Sequence, residues 1–267
     1  MYYSRFKITG NSILNKTLSS VEINLGNKCN RFCSWCPHSS GFNSTEIMCE
    51  ETFLSILLKL SEASYANRIT FSGFGEPLLN KRVVDMFKIF REYLPSNEVI
   101  LITNGDYLNS NIIEYLERLN IFIRVSLYEK NHNKIHLLSK EKLNITWGVR
   151  KYYEEGGKRG YNSRGWFAPK RIFSKKKCYL PLYKIFIDID GSIRPCSNNW
   201  GSPKKYGNIL DTDLVTLWFF TLKKFRENCL EDRSKNVYCT NCDVLGELVG
   251  EDKVNIFTDL YKENIEK

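Results

Sequence analysis

From Ser19 to Arg150 the chain alternates between short β-branched runs and longer stretches with apolar residues at helical spacing. SSVEINL, RITFS, EVILIT, IFIRVSLY and LNITWGVR read as strands, and EETFLSILLKLSEASY, NKRVVDMFKIFREYL and NSNIIEYLERLN as helices. Pro95 stops the second helix, polar residues cap the start of the third, and residues 129–141 read as partly helical. Alternation of apolar strands with helices requires parallel pairing, with each helix crossing outside the sheet. Five strands are too few to close an eight-stranded barrel. The fold class is therefore α/β, as an open sheet or a partial (β/α) barrel. In both, chemistry gathers at the C-terminal ends of the strands. A cysteine loop, GFGEP and TNGD follow the first three strands, so all three converge on that face.

Seven of the nine cysteines fall into two groups with ligand-like spacing, leaving Cys49 and Cys229 over. In a reducing compartment such grouping means metal binding or catalysis rather than disulfides. Cys29, Cys33 and Cys36 form C-x3-C-x2-C. They can hold zinc with His38 as fourth ligand, or three irons of a [4Fe–4S] cluster with one iron left open. Cys178, Cys196, Cys239 and Cys242 make a second set. YKIFIDIDGSIRPC reads as a hairpin turning at Asp190-Gly191, DTDLVTLWFFTLKKFREN as a helix, and CTNC as a knuckle. A zinc ribbon and a fully ligated cluster both fit those four.

C-x3-C-x-(aromatic)-C at the end of a first strand resembles the radical S-adenosylmethionine (SAM) superfamily. The resemblance runs from residue 19 to about 150. It implies a [4Fe–4S] cluster on Cys29, Cys33 and Cys36 whose open iron is chelated by the amine and carboxylate of SAM. One electron from the reduced cluster then splits SAM into methionine and a 5′-deoxyadenosyl radical. It further implies that Trp35 lies beside the adenine. Gly75, Glu76 and Pro77 would form the loop for the methionyl amine, with Asn104 and Ser126 near the methionyl and ribose groups. The second set, with YGNILDTDLVTLWF before the knuckle, resembles the twitch domain, the shorter relative of SPASM. That implies one auxiliary [4Fe–4S] cluster with four cysteine ligands, which accepts or relays electrons. The implied layout is a radical SAM core over residues 1–150, a basic linker over 151–177, and a hairpin-plus-helix twitch domain over 178–267. YNSRGWF resembles a segment of compact aminocyclitol dehydrogenases of this superfamily. It implies that Arg164 touches the substrate hydroxyl, although Asn162 is displaced by one position from that pattern.

The net charge is +9, with much of the excess between Arg150 and Lys177. That segment reads as a solvated face or as a binding loop for an anionic, phosphorylated substrate. Basic charge also fits a non-catalytic zinc- or RNA-binding protein, but the ordered strand-end motifs do not. No apolar run is long enough to span a membrane and the N-terminus lacks a secretory apolar region, so the expected location is the cytoplasm. The expected chemistry is oxidation of a sugar, cyclitol or nucleotide-sugar to a ketone, with the electron passed to the auxiliary cluster. A flavodoxin or ferredoxin is the expected electron donor. Two other outcomes share the fold. An epimerase needs a thiol hydrogen donor, for which Cys49 and Cys229 are candidates. A peptide maturase commonly carries a leader-binding domain, for which residues 1–18 are too short.

Overall fold

The computed structural model describes residues 11–33, 36, 38, 44–127, 145–149, 177–199, 202, 204–240, 242, 246, 255 and 257. A helix over residues 11–17 (α1) leads into β1 (Ser20–Asn24), α2 (Glu50–Glu62), β2 (Arg68–Ser72), α3 (Val83–Tyr93) and β3 (Val99–Thr103). α4 (Ser110–Arg118), β4 (Phe122–Leu127), β5 (Ile145–Val149), β6 (Lys184–Ile187), β7 (Ile193–Arg194) and α5 (Lys223–Glu231) follow. Residues 129–141 lie outside the described residues.

The strands form one open seven-stranded sheet in the order β5-β4-β3-β2-β1-β6-β7. β1 to β5 are parallel to their neighbours, as the alternation requires. β6 then pairs parallel with the free side of β1, and β7 antiparallel with β6. The downstream hairpin therefore extends the core sheet. Its turn runs through Gly191, which adopts φ +78°, a region that glycine enters without strain.

Successive strand residues face opposite sides. Val21, Ile23, Ile69, Phe71, Val99, Leu101, Ile123, Ile185 and Ile187 join the apolar core with the helices. α2 buries Phe53, Ile56, Leu57 and Leu60 there, a helical stripe at i, i+3, i+4 and i+7. Each such side chain contributes about 1.5–3 kcal/mol. Phe71 is the hub, with ring centroids 4.9 Å from Phe87, 5.4 Å from Phe90 and 6.0 Å from Phe53. The opposite parity is mixed: Glu22, Asn24, Thr70, Ser72 and Lys184, with Asp188 and Arg194 beyond, share it with buried Phe186, which stacks on Phe74.

The single helix expected over 211–228 is interrupted. Asp213 caps it, accepting from the Thr216 amide at 3.0 Å, but Leu217–Thr221 forms a π-turn before α5. The wider turn lets the consecutive bulky residues Leu217, Trp218 and Phe219 all reach the core. Fully buried Arg226 fastens this region: its Nε donates to the Pro181 carbonyl at 2.7 Å and its guanidinium lies 3.8 Å from the Trp218 ring centroid. Trp218 Nε1 in turn donates to Thr17 Oγ1 at 2.9 Å, tying the C-terminal part to α1.

Candidate cluster and cofactor site

The cysteine loop leaves β1 and is closed at its base. Gly26 bridges Ile47, the Asn27 amide donates to the Glu46 carbonyl at 2.8 Å, and the Met48 amide to the Leu25 carbonyl at 3.1 Å. Within it the Cys36 amide donates to the Cys33 carbonyl at 2.9 Å, and the Arg31 amide approaches Cys29 Sγ at 3.5 Å. Burial, then the neighbouring Cys36 and Cys29 thiols, push Cys33 up to about 11. Burial also raises Cys29, opposed by the Arg31 amide. Thiols crowded this way resist ionising alone, and a cationic iron centre reverses both effects. The donor set therefore fits a group that brings its own positive charge. Among the described residues, no three His, Cys, Asp or Glu side chains converge as ligands of a single ion would. His38 lies tilted against Phe32, with centroids 5.5 Å apart. A cluster needs no such convergence, because each thiolate binds a different iron.

GFGEP closes onto this loop. A Cβ at Gly75 would strike the Lys28 carbonyl oxygen and come within 2.6 Å of the Gly26 carbonyl oxygen, so only glycine fits. The Glu76 amide donates to the Lys28 carbonyl at 2.8 Å. The buried Glu76 carboxylate accepts from Thr103 Oγ1 at 2.6 Å, the Asn104 amide at 2.7 Å and the Leu78 amide at 3.1 Å. Burial still prevails over those three donors and raises its pKa to about 7. Asn104 Nδ2 donates to Asn30 Oδ1 at 2.9 Å, and Asp106 Oδ2 accepts from Asn30 Nδ2 and Arg31 Nε, each at 2.7 Å. The ends of β2 and β3 thus grip the cysteine loop from one side.

Asn24 grips it from the other. Its Nδ2 donates to Asn27 Oδ1 at 2.7 Å and to Asp188 Oδ1 at 2.9 Å. Asp188 Oδ2 accepts from Arg194 Nε at 2.7 Å, and Arg194 Nη1 donates to the Ser202 carbonyl at 2.8 Å. This buried chain leads from the first cysteine loop to the loop that carries Cys196.

At the second set, burial and then Cys239 and Cys242 raise Cys178 to about 11, while the Leu180 amide opposes them. Cys196 is raised well above the usual thiol range by burial and by Cys239, Cys242 and Cys178. The Cys242 amide donates to the Cys239 carbonyl at 3.2 Å, forming the knuckle, and Arg233 Nη2 donates to the Cys242 carbonyl at 3.0 Å. All four thiols therefore lie within electrostatic reach of one another, again a donor set suited to a cationic centre.

Residues 23–136 match the radical SAM superfamily, and residues 178–243 match SPASM, an iron-sulfur cluster-binding domain. The chain therefore carries a radical SAM domain followed by a SPASM domain. It is 27% identical over 246 residues to the S-adenosyl-L-methionine-dependent 2-deoxy-scyllo-inosamine dehydrogenase of Niallia circulans, covering 86% of this chain and 94% of that protein. It is 29% identical over 108 residues to the GTP 3′,8-cyclase of Nautilia profundicola, covering 39% of this chain and 32% of the cyclase. Among solved structures, BtrN in complex with AdoMet and 2-DOIA superposes with a TM-score of 0.73 at 24% identity, over 87% of this chain and 97% of BtrN. Native anSMEcpe with bound AdoMet gives 0.59 at 15% identity, over 92% of this chain and 96% of that one. Both structural likenesses are of fold; here it is an open sheet of seven strands, parallel except for β7.

Within the radical SAM domain Cys29, Cys33, Cys36, Gly75, Glu76, Pro77 and Asn104 are brought together at the C-terminal ends of β1 to β3. Pro77 is the first residue of a short 3₁₀ turn, Pro77–Leu79, that carries the loop away. Ser126 is buried on β4, two strands from β2 and opposite Gly148 in the register. Trp35, Arg164 and the basic stretch up to residue 176 lie outside the described residues. Sequence reading had not singled out Asn24, Asn30, Arg31 or Asp106. The available signal was their kind and place: small polar or charged residues at strand ends and in the loop between them.

Proposed function

We propose that this radical SAM enzyme oxidises a secondary alcohol of a small polyhydroxylated ring, an aminocyclitol, sugar or nucleotide-sugar, to the ketone. One observation carries the reading: a strip of paired polar side chains beside buried Phe186, on the sheet face turned from the main apolar core. There Glu22 on β1 accepts a hydrogen bond from Ser72 on β2 and pairs with Lys184 on β6. Lys184 Nζ also donates to Ser197 Oγ at 3.4 Å, one residue beyond Cys196. A carboxylate, an ammonium and two hydroxyls in one strip can orient a ring bearing hydroxyl and amino groups. The near full-length likeness to a 2-deoxy-scyllo-inosamine dehydrogenase supports the same reading.

Cys29, Cys33 and Cys36 would hold one [4Fe–4S] cluster and its SAM, which supply the radical that removes the carbinol hydrogen. Cys178, Cys196, Cys239 and Cys242 would hold a second cluster, the acceptor of the remaining electron. The chain's own work is placement and exclusion of water. Gly75 allows the backbone of the second strand end to close on the cysteine loop, and Glu76 and Asn104 lock it there. Trp35 would flank the adenine of SAM, and Pro77 and Ser126 would border its site. Arg164 would orient the reacting hydroxyl. A flavodoxin or ferredoxin would supply the electron to the first cluster. Among the described residues no helix is long and apolar enough to cross a membrane. Neither candidate hydrogen donor for an epimerase stands on that strip. Cys49 precedes α2 with its thiol 3.2 Å from Thr52 Oγ1, and Cys229 is enclosed beside Cys178 and Cys239.

Anaerobic reconstitution with SAM and a reductant in deuterated water tests the proposal, using aminocyclitols and sugars as candidate substrates. The expected products are a ketone and 5′-deoxyadenosine in equal amounts. An epimerised product carrying solvent deuterium at the reacting carbon would overturn it.

A further inference from the structure

Asn24 is the last residue of β1, it is fully buried, and its side-chain amide uses all of its hydrogen-bonding capacity. Nδ2 gives one N–H to Asn27 Oδ1 at 2.7 Å and the other to Asp188 Oδ1 at 2.9 Å. Oδ1 accepts from the Gly26 amide at 3.3 Å and from the Phe74 amide at 3.4 Å. These partners stand on three segments: the cysteine loop, GFGEP after β2, and the turn after β6. GFGEP is shaped around the side chain. Gly73 adopts φ +135°, and a Cβ there would strike Asn24 Oδ1.

The far side of the joint is also fixed. Asp188 Oδ1 accepts from the Ile189 amide at 2.9 Å, and Oδ2 from Arg194 Nε at 2.7 Å. Arg194 Nη1 donates to the Asn199 carbonyl at 3.2 Å and the Ser202 carbonyl at 2.8 Å, within the loop that carries Cys196. The Arg194 guanidinium lies 5.7 Å from the Phe74 ring centroid, and Phe74 stacks on Phe186 of β6 at 4.8 Å. Asn24 and Phe74 belong to the radical SAM domain, whereas Asp188 and Arg194 belong to the SPASM domain. A buried amide cannot exchange a lost partner for water. A hairpin that shifts must therefore drag Asn24, and with it the bases of both segments that Asn24 holds.

We propose that Asn24 is a positioning residue through which the SPASM hairpin sets the SAM site, so that Asp188 governs SAM affinity from the second domain. The proposal rests on the reading that Cys29, Cys33 and Cys36 hold the cluster that binds SAM. The cysteine loop and GFGEP are the two segments assigned to that cluster and to the methionyl amine. Asn24 ties both to Asp188, and their separation is kept only while the joint is matched donor to acceptor.

The test uses the reconstituted full chain with its clusters oxidised, so that SAM binds without being cleaved. SAM affinity is read by equilibrium dialysis of radiolabelled SAM, and iron is counted in each protein. Asn24→Asp removes both donors and sets a second carboxylate against Asp188. The double variant Asn24→Asp/Asp188→Asn again faces a donor to an acceptor, with the direction reversed and the total charge unchanged. Asp213→Ala, which removes a helix cap from the SPASM domain, controls for general loosening. Asn24→Asp should weaken SAM binding about tenfold, within the usual range for coupled sites. The double variant should return to within about threefold of wild type, and Asp213→Ala should not differ from it. Loss of the first cluster's irons from Asn24→Asp, regained in the double variant, would support the same conclusion. Unchanged affinity in Asn24→Asp would overturn the proposal. So would a double variant that recovers neither affinity nor iron, which would confine Asn24 to the cysteine loop, or an equal loss in Asp213→Ala. Failure of the iron-loaded wild type to bind SAM would instead overturn the reading of the three cysteines.

Discussion

Gly75→Ala tests the idea that the second strand end is fitted to the cysteine loop. The added Cβ would lie 2.6 Å from the Gly26 carbonyl oxygen and 2.7 Å from the Asn27 carbonyl carbon, as well as against the Lys28 carbonyl oxygen. Ordinary contact begins near 3.4 Å, so the two segments must part by at least about 0.8 Å. Nothing flexible can absorb that, because every atom met is backbone. Overpacking of this kind costs about 1–3 kcal/mol. In a chain of this size that lowers Tm by roughly 2–10 °C. The catalytic effect should be larger, since a misplacement of about 1 Å in a site can cost about 100-fold in rate. The assay is 5′-deoxyadenosine formation per iron-loaded molecule, with thermal unfolding on the same samples. Phe71→Ala is the control: it empties the aromatic hub at a cost of about 3–5 kcal/mol without touching the loop. It should lower Tm more than Gly75→Ala does, yet leave SAM cleavage per folded molecule near wild type. Wild-type cleavage in Gly75→Ala, or an equal loss in both variants, would refute the fitted-loop argument.

Wild-type protein reconstituted anaerobically should carry about eight irons, and replacing Cys29, Cys33 and Cys36 by alanine should leave about four while abolishing 5′-deoxyadenosine. Glu76 has a folded pKa near 7, above the 4.5 of a free carboxyl, so the folded state holds the extra proton between those values. Stability should therefore fall as pH rises through that window, by about 3 kcal/mol, in urea titrations of the SAM-free protein, and Glu76→Gln should flatten the slope. Replacing Lys175, Lys176 and Lys177 by alanine should raise KM about ten- to a hundredfold if one phosphate contact of about 1.5–3 kcal/mol is lost, leaving uncoupled SAM cleavage intact. Arg164→Ala should lower kcat more than it raises KM in the same steady-state measurements.

Much of this was legible in the chain. Strand–helix alternation sets pairing direction because a parallel neighbour can be reached only by a crossover, and the observed β1 to β5 follow it. Asp190-Gly191 marks a turn because glycine alone enters that backbone region cheaply, and the hairpin turns there. The cysteine spacings declare metal chemistry because thiolates so close together need a cation. The π-turn at Leu217–Thr221 was not legible, since helical periodicity reads LWFF as one continuous helix and only the core decides which of those side chains must enter it.

Local chemistry by itself determined which cysteines would be grouped as candidate ligands, where the strands would end, and that their ends would share a face. Tertiary structure alone decided what those ends touch. β6 could have paired with another hairpin, but Glu22 and Lys184, and Asn24 and Asp188, meet only because it docks on β1. Nothing in NCLED distinguishes Cys229 from any buried apolar cysteine until the fold sets it between Cys178 and Cys239. The physical reason is one of range. Propensity, spacing and ligand chemistry act over a few residues, whereas hydrogen bonds between residues 164 positions apart exist only after the sheet has chosen its edge.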